Sequence, residues 1–355
     1  MPKYLLITHQ LTRTGAPQAL LNLADRLSKK GNVMILCPEM GESFREVLEL
    51  GYPVAIAPKY WERKFVFKGF AKKFDMVVAN TVLNFPAVMI LDGEKLPVYW
   101  WIHEHKSYFD YGKGEIPNPN SFKDNIHTLA VGDVVKDILK EEFDYDAELF
   151  SYGVKDYSDE LKNVDTPAKS RPLNFLIIGP VTKEKGQDLF LRAYMSLPNG
   201  VKDRLRVTFI GAMPDINMAK QLNDAIEKEK NLSYLVPMPH DALMKMLAQS
   251  DGIIVPSRFE MLSTVSVEAM SLNKLVISAN AGGISSYINS GENGYVYETE
   301  NTASLNQLLT RLTVDGREKL IMLGEASRKI YDEVFSESAF DKRIERIMFN
   351  DEGGD

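Results

Sequence analysis

A single cysteine, Cys37, stands in a chain of 355 residues, so no intrachain disulfide can form and a reducing compartment is implied. It ends the apolar run that begins at Val33 and reads as a small buried side chain rather than a nucleophile. No apolar stretch approaches the roughly 20 residues needed to cross a bilayer. Met1-Pro2-Lys3 passes straight into Tyr4-Leu5-Leu6-Ile7 without the apolar core and cleavage site of a secretory leader, which predicts a cytoplasmic protein. Basic residues are in the minority, 42 Lys and Arg against 49 Asp and Glu, and the net charge of -7 argues against a nucleic-acid binder. The G-x-G-x-x-G fingerprint is missing after the first strand-like segment, which disfavours a nicotinamide-dinucleotide enzyme. His103 and His105 flank Glu104 without a recognised metal-site spacing. Asp144-Tyr145-Asp146 spells D-x-D, but within an acidic polar run where it reads as chance. No repeats or low-complexity runs occur.

What the chain does have is alternation of strand-like and helix-like segments from its first residues, at a length that suits two domains. Tyr4 to Thr8 reads as a strand. Gly15-Ala16-Pro17 opens a helix, with Leu20, Leu23, Ala24 and Leu27 at helical spacing. Further strands are read at Val33 to Cys37, Val54 to Ala57, Met76 to Ala79, Val98 to Ile102 and Leu129 to Val131. Residues 157–172 are polar and rich in turn formers, and serve as the expected linker. A fresh run of strands begins at Leu173 and continues at Arg206 to Gly211 and Tyr234 to Val236. His240 is placed at the start of a helix as its cap. Ser336 caps a last helix with Phe340, Ile344, Ile347 and Met348 on one face, and Asp351 to Asp355 reads as a frayed tail. Residues 59–74 interleave six basic residues with six aromatic ones, the composition of a membrane-surface segment and equally of a helix with a buried aromatic face.

Chemistry concentrates in Val255 to Gly283. A buried strand ends at Pro256-Ser257, and a loop follows to Leu262. Ser263 or Thr264 suits an N-cap for a helix over Val265 to Leu272, and Lys274 to Ser278 is the next strand. In a parallel sheet this puts the loop at the carboxyl edge, where such sheets bind ligands. The helix start, Ser263 to Ser266, offers amide hydrogens to a phosphate. Glu268 lies about 6 Å further along, at about 1.5 Å per residue, where a carboxylate can accept from a ribose diol. Glu260 in the loop faces the group beyond the phosphate. A nucleoside-diphosphate-sugar uses all three contacts. An isolated pair of glutamates eight positions apart is otherwise two solvated charges.

The run Val255-Pro256-Ser257-Arg258-Phe259-Glu260, with Glu268-Ala269-Met270 and Gly282-Gly283, resembles the signature of the family-4 retaining glycosyltransferases. That resemblance implies the GT-B fold: two Rossmann-like doubly wound domains facing across a cleft, with a C-terminal helix crossing back to the first domain. The implied boundaries are 1–156, 173–335 and a returning helix at 336–355. By the same resemblance, Glu260 contacts the donor sugar, Glu268 the ribose, and the amides near Ser263 and Thr264 the diphosphate. His103 matches a histidine that reaches the donor sugar, and the loop at Gly15 matches a glycine loop near the phosphate. Gly179 to Gly186 resembles Gly-Arg, four residues, Lys-Gly. Lys185 matches the lysine that neutralises the leaving diphosphate, whereas Pro180 stands where the family has arginine, and Lys183 is the one nearby substitute. Ser286 stands where the family often has an acid.

The expectation is therefore a retaining hexosyltransferase of polysaccharide biosynthesis that uses neither metal nor organic cofactor. It would move a sugar from a nucleotide-diphosphate-sugar to a hydroxyl of a glycan or lipid-linked acceptor. Residues 59–74 would contact the inner face of the cell membrane. A nucleotide-sugar epimerase or phosphorylase on the same scaffold, and a binding subunit without turnover, are the alternatives.

Overall fold

The computed structural model describes residues 1–12, 14–111, 114–164 and 171–349. The expected tail, 351–355, and part of the expected linker, 165–170, lie outside the described residues. The chain forms two compact units, one from Met1–Gly153 with the described residues from Phe340 onward, the other from Val154–Ala339.

In the first unit the strands are β1 (Lys3–Ile7), β2 (Asn32–Cys37), β3 (Val54–Ile56), β4 (Met76–Asn80), β5 (Val98–Ile102), β6 (Ile126–Ala130) and β7 (Glu148–Leu149). They form one parallel sheet in the order β3-β2-β1-β4-β5-β6-β7. β4 and β5 are buried along their whole length, which is why they read as unbroken apolar runs: a parallel sheet carries helices on both faces. β7 has only two residues and no apolar run, and nothing in the sequence signalled it. The Gly15–Ser28 helix buries Leu20, Leu23, Ala24 and Leu27, the stripe its spacing predicts. The helix begun at Glu337 has Ser336 Oγ accepting from the Ala339 amide, and its later residues join this unit. Phe340 packs on Trp101, on Phe150 and against Gly153, where a β-carbon would meet the Phe340 side chain at 2.8 Å. Tyr99 Oη donates to the Ile347 carbonyl at 3.1 Å, and Arg346 pairs with Glu148. The D-x-D residues are surface partners of lysine, Asp144 of Lys140 and Asp146 of Lys136.

The second unit contains β8 (Leu173–Ile178), β9 (Leu205–Ile210), β10 (Leu232–Leu235), β11 (Gly252–Val255), β12 (Leu275–Ala279) and β13 (Tyr295–Tyr297), parallel in the order β10-β9-β8-β11-β12-β13. Both sheets reverse the direction of strand addition once, between β1 and β4 and between β8 and β11. Crevices at such switch points are where open α/β sheets hold ligands. The unit boundary falls after Gly153, ahead of the polar run expected to divide the domains. Val154 is fixed within the second unit by its amide to Phe335 O (2.9 Å) and by Tyr331 Oη on its carbonyl (2.7 Å). Asp156 pairs with Arg328 at 2.6 Å, and Ser158–Leu161 is a short helix inside the expected linker.

Asp251 closes the β8–β11 junction at its amino end. Its Oδ2 accepts from the Asn174 amide (2.8 Å), and its carboxylate is gripped by the buried guanidinium of Arg317 through Nε (2.6 Å) and Nη2 (3.0 Å). Removing one partner leaves the other buried without a counter-charge, which costs about 3–5 kcal/mol. Asp251→Ala is expected to lower the unfolding free energy of the second unit by that order, followed by calorimetry, whereas breaking the exposed Lys230–Asp203 pair should leave it within about 0.5 kcal/mol.

Candidate functional site

The second unit's switch point is lined by the loops after β8, β11 and β12. After β8 the chain turns through Gly179, at φ +139°, and reaches Gly186, at φ +70°, before the Gln187–Met195 helix. A β-carbon on Gly186 would lie 1.9 Å from the Pro256 carbonyl oxygen, so only glycine lets the two loops touch. The Arg258 amide donates to Glu184 O at 2.7 Å and completes the join. Gly283, after β12, would put a β-carbon 1.7 Å from Met261 O, and its amide donates to Glu260 O at 2.6 Å.

This backbone brings Lys185 and Glu260 together: Lys185 Nζ donates to Glu260 Oε2 at 2.5 Å, with Ser257 Oγ at 3.4 Å from the same oxygen. Ser263 caps the Thr264–Ser271 helix, as expected. Its Oγ and carbonyl take the Ser266 amide, and the carbonyl also takes that of Val267. Ser266 is thereby withdrawn from the amides that the helix end was expected to present to an anion. Glu268 is buried in the same helix, 5% exposed, and its Oε1 is 2.7 Å from His240 Nε2.

His240 is not the helix cap that its position suggests. Pro239 occupies the cap position of the His240–Ala248 helix, and the imidazole turns to Glu268 instead. The hydrogen bond and charge of Glu268 raise the His240 pKa above its ordinary value against the opposing effect of burial. Arg258 does not replace the arginine missing at Pro180. Its guanidinium is spent on Asp188, at 2.7 and 2.9 Å, on Glu300 and on the Lys183 carbonyl. Burial works to raise the Asp188 pKa, but the hydrogen bond and charge of Arg258 hold it below the usual carboxylate range. Lys183 itself is exposed.

Gly15 and His103 belong to the first unit. Gly15 starts the first helix behind Thr14, with open space where a β-carbon would stand. His103 follows β5; its Nε2 is buried and has no hydrogen-bond partner among the described residues. Burial, with His9 nearby, pushes its pKa down to about 3, so the ring is neutral at physiological pH. Beside it Glu104 is buried, and its Oε2 accepts the amides of Val82 (2.8 Å) and His103 (3.0 Å). Burial pushes its pKa up to about 7 although those amides oppose the shift. Thr81, between β4 and Val82, sits at φ +80°, strained for a β-branched residue. It is held by its amide on Trp101 O (2.7 Å), by Trp100 Nε1 on its carbonyl (3.0 Å) and by His9 Nδ1 at its hydroxyl (3.0 Å). Burial raises the Cys37 pKa to about 11, which keeps it a thiol.

Two family models match the chain, one described as glycosyl-transferase family 4 over residues 2–127 and one as glycosyl transferases group 1 over residues 158–330. A D-inositol 3-phosphate glycosyltransferase of Corynebacterium aurimucosum is 26% identical over 57% of this chain and 48% of its own length. An alpha-D-kanosaminyltransferase of Streptomyces kanamyceticus is 24% identical over 44% and 43%. The chain thus spans about half the length of these curated relatives, or less. Among solved structures, a glycosyltransferase of Rickettsia africae superposes with a TM-score of 0.78 at 17% identity, over 99% of both chains. HepE of Anabaena in complex with UDP and glucose superposes with a TM-score of 0.74 at 16% identity, over 98% of this chain and 99% of its own. Two parallel Rossmann-like sheets, the loop signature of the second and these likenesses agree, and the chain belongs to family 4 of the glycosyltransferases, built on the GT-B fold.

Proposed function

We propose that the protein transfers a sugar from a nucleotide-diphosphate-sugar to an acceptor hydroxyl, with retention at the anomeric carbon and without a metal ion. The observation that supports this most is the Lys185–Glu260 pair at 2.5 Å beside the capped end of the helix that carries Glu268. A diphosphate set against Lys185 and the helix amides has its charge offset as the bond to the anomeric carbon breaks. The acceptor oxygen then bonds to that carbon on the face the diphosphate leaves, and the acceptor proton passes to a departing phosphate oxygen. Glu260 accepts from hydroxyls of the donor sugar and Glu268 from the ribose. The UDP complexes of HepE favour a uridine or similar base.

A binding subunit without turnover is favoured by one observation alone: Pro180 replaces a cation, and Arg258 is already committed to Asp188 and Glu300. Binding measurements with UDP-, GDP- and ADP-sugars, followed by turnover with the best binder and product NMR, separate the readings. Binding with transfer and a retained anomeric configuration is expected; binding with neither transfer nor slow donor hydrolysis would establish the subunit. Lys185→Ala is expected to lower kcat by about 10²–10³ with a smaller change in donor affinity, read from steady-state kinetics. Activity is expected to survive dialysis against EDTA; its loss, restored by added divalent cation, would overturn the metal-free mechanism.

For the acceptor we infer a lipid-linked glycan at a membrane surface. In residues 59–74, Tyr60 and Phe67 are buried, while Phe65, 92% exposed, and Val66 point outward on the Lys64–Ala71 helix. Glu62 neutralises Lys59, and Glu94 neutralises Lys68 and Lys72. Arg63, Lys64 and Lys73 have no acidic partner among the described residues. No described helix is long and apolar enough to cross a membrane. At about 1 kcal/mol for each basic residue near an anionic surface, Lys64→Ala should weaken binding to phosphatidylglycerol vesicles about five-fold in co-sedimentation, and Phe65→Ser by a similar factor. Equal sedimentation of all three proteins would remove the membrane assignment.

A further inference from the structure

Glu268 is a buried carboxylate with one oxygen occupied: Oε1 meets His240 Nε2 at 2.7 Å, while Oε2 has no hydrogen-bond donor among the described residues. On its other side the imidazole reaches Tyr157 Oη through Nδ1, at 3.3 Å, and the Lys155 ammonium lies 4.8 Å from the centre of the Tyr157 ring. A carboxylate taken out of water gains from a counter-charge, and His240, when protonated, supplies one through this bond. We propose that His240 is a positioning residue for the donor: it holds Glu268 by one oxygen, leaves the other for the ribose diol, and carries the charge that lets a buried carboxylate sit close to an incoming diphosphate. This role depends on the donor reading above, in which Glu268 accepts from the ribose.

The charge matters because Glu268 lies only about 6 Å of helix rise from the amides assigned to the diphosphate. Two anions at that range repel, and a protonated imidazole between one of them and solvent offsets the repulsion. Deprotonation removes the charge without breaking the geometry. A neutral His240 still donates from Nε2 to Glu268 while Nδ1 accepts from Tyr157. The groups facing His240 are Glu268 and Asp241, which favour its protonated form, and Lys155, which opposes it. Burial raises the Tyr157 phenol further from neutrality, so it does not titrate in the same range. Because Glu268 raises the His240 pKa, the protonated form persists above the ordinary imidazole value of about 6.5 and is lost as pH climbs through the raised value. Donor affinity should be full below that window and fall across it. The diphosphate of a nucleotide-sugar stays fully ionised throughout and contributes no slope.

The test measures dissociation constants by calorimetry between about pH 5.5 and 8.5 for the intact chain, His240→Gln, His240→Ala and Glu268→Ala, with UDP-glucose, GDP-mannose and ADP-glucose as probes. The wild-type protein is expected to lose about three- to ten-fold in affinity from low to high pH. His240→Gln, whose amide still donates to Glu268, should bind at about the wild-type high-pH value with no slope. His240→Ala should be flat and about ten-fold weaker than wild type at low pH, and Glu268→Ala weaker at every pH. A flat wild-type profile, or a slope surviving in His240→Gln, overturns the role of His240 and leaves the donor site standing. Absence of binding by the wild-type protein to all three probes overturns the donor site itself, and the role of His240 with it.

Discussion

Before any ligand arrives, a lysine and a glutamate already neutralise one another at the carboxyl edge of the second sheet. The Lys185–Glu260 pair sits on two loops that leave adjacent strands, β8 and β11, and those strands flank the place where the sheet changes direction. Each side chain is partly shielded, 30% and 17% exposed, so their attraction is stronger than that of a surface pair and their desolvation is shared. On the proposed function, an anionic diphosphate entering here would take a share of the lysine and release the glutamate to accept from hydroxyl groups. One contact would then serve both halves of the proposed donor site, a cation for the leaving group and an acceptor for the sugar. The rest of the second unit keeps this pair in place. Gly186 pressed on Pro256, the Arg258 amide on Glu184 and Arg258 locked by Asp188 all tie the β8 and β11 loops to each other.

The parts legible in the sequence are those set by near neighbours in the chain. Strand runs such as Val98 to Ile102 are apolar throughout because both faces are covered. Ser263 caps its helix through residues three and four positions away. Partners far apart in sequence were not legible. His240 finds Glu268 across 28 positions, Lys185 finds Glu260 across 75 and Arg258 finds Asp188 across 70. Local pattern offered His240 only the role of a helix cap, since a polar residue before an apolar period has that meaning when nothing else is known. The contacts around the division after Gly153 were hidden for the same reason. Residues 157–172 look like a linker by composition, yet Val154 and Asp156 are anchored by Tyr331 and Arg328, more than 170 positions later.

The edge of the first sheet shows a different kind of hidden feature. Glu104 was visible only as the residue between two histidines. Its function in the fold is to cap the amides of Val82 and His103, joining the exits of β4 and β5 with a single carboxylate. Thr81, at positive φ between them, holds a conformation that its own side chain resists. Such strain persists only where surrounding bonds over-determine it, and here Trp100, Trp101 and His9 all contribute. Thr81 stands at the exit of β4, beside the point where the first sheet reverses its strand order.

The two glycine contacts of the second unit bear on how this chain can diversify. At Gly186 and Gly283 main chain lies against main chain with no room for a methyl group, so three consecutive strand exits share fixed lengths. An insertion in any one of them would pry apart the other two. Side chains on these loops, such as the exposed Phe259, can change on an unaltered frame, whereas the main chain at the two glycine contacts has no slack to take up a change of length.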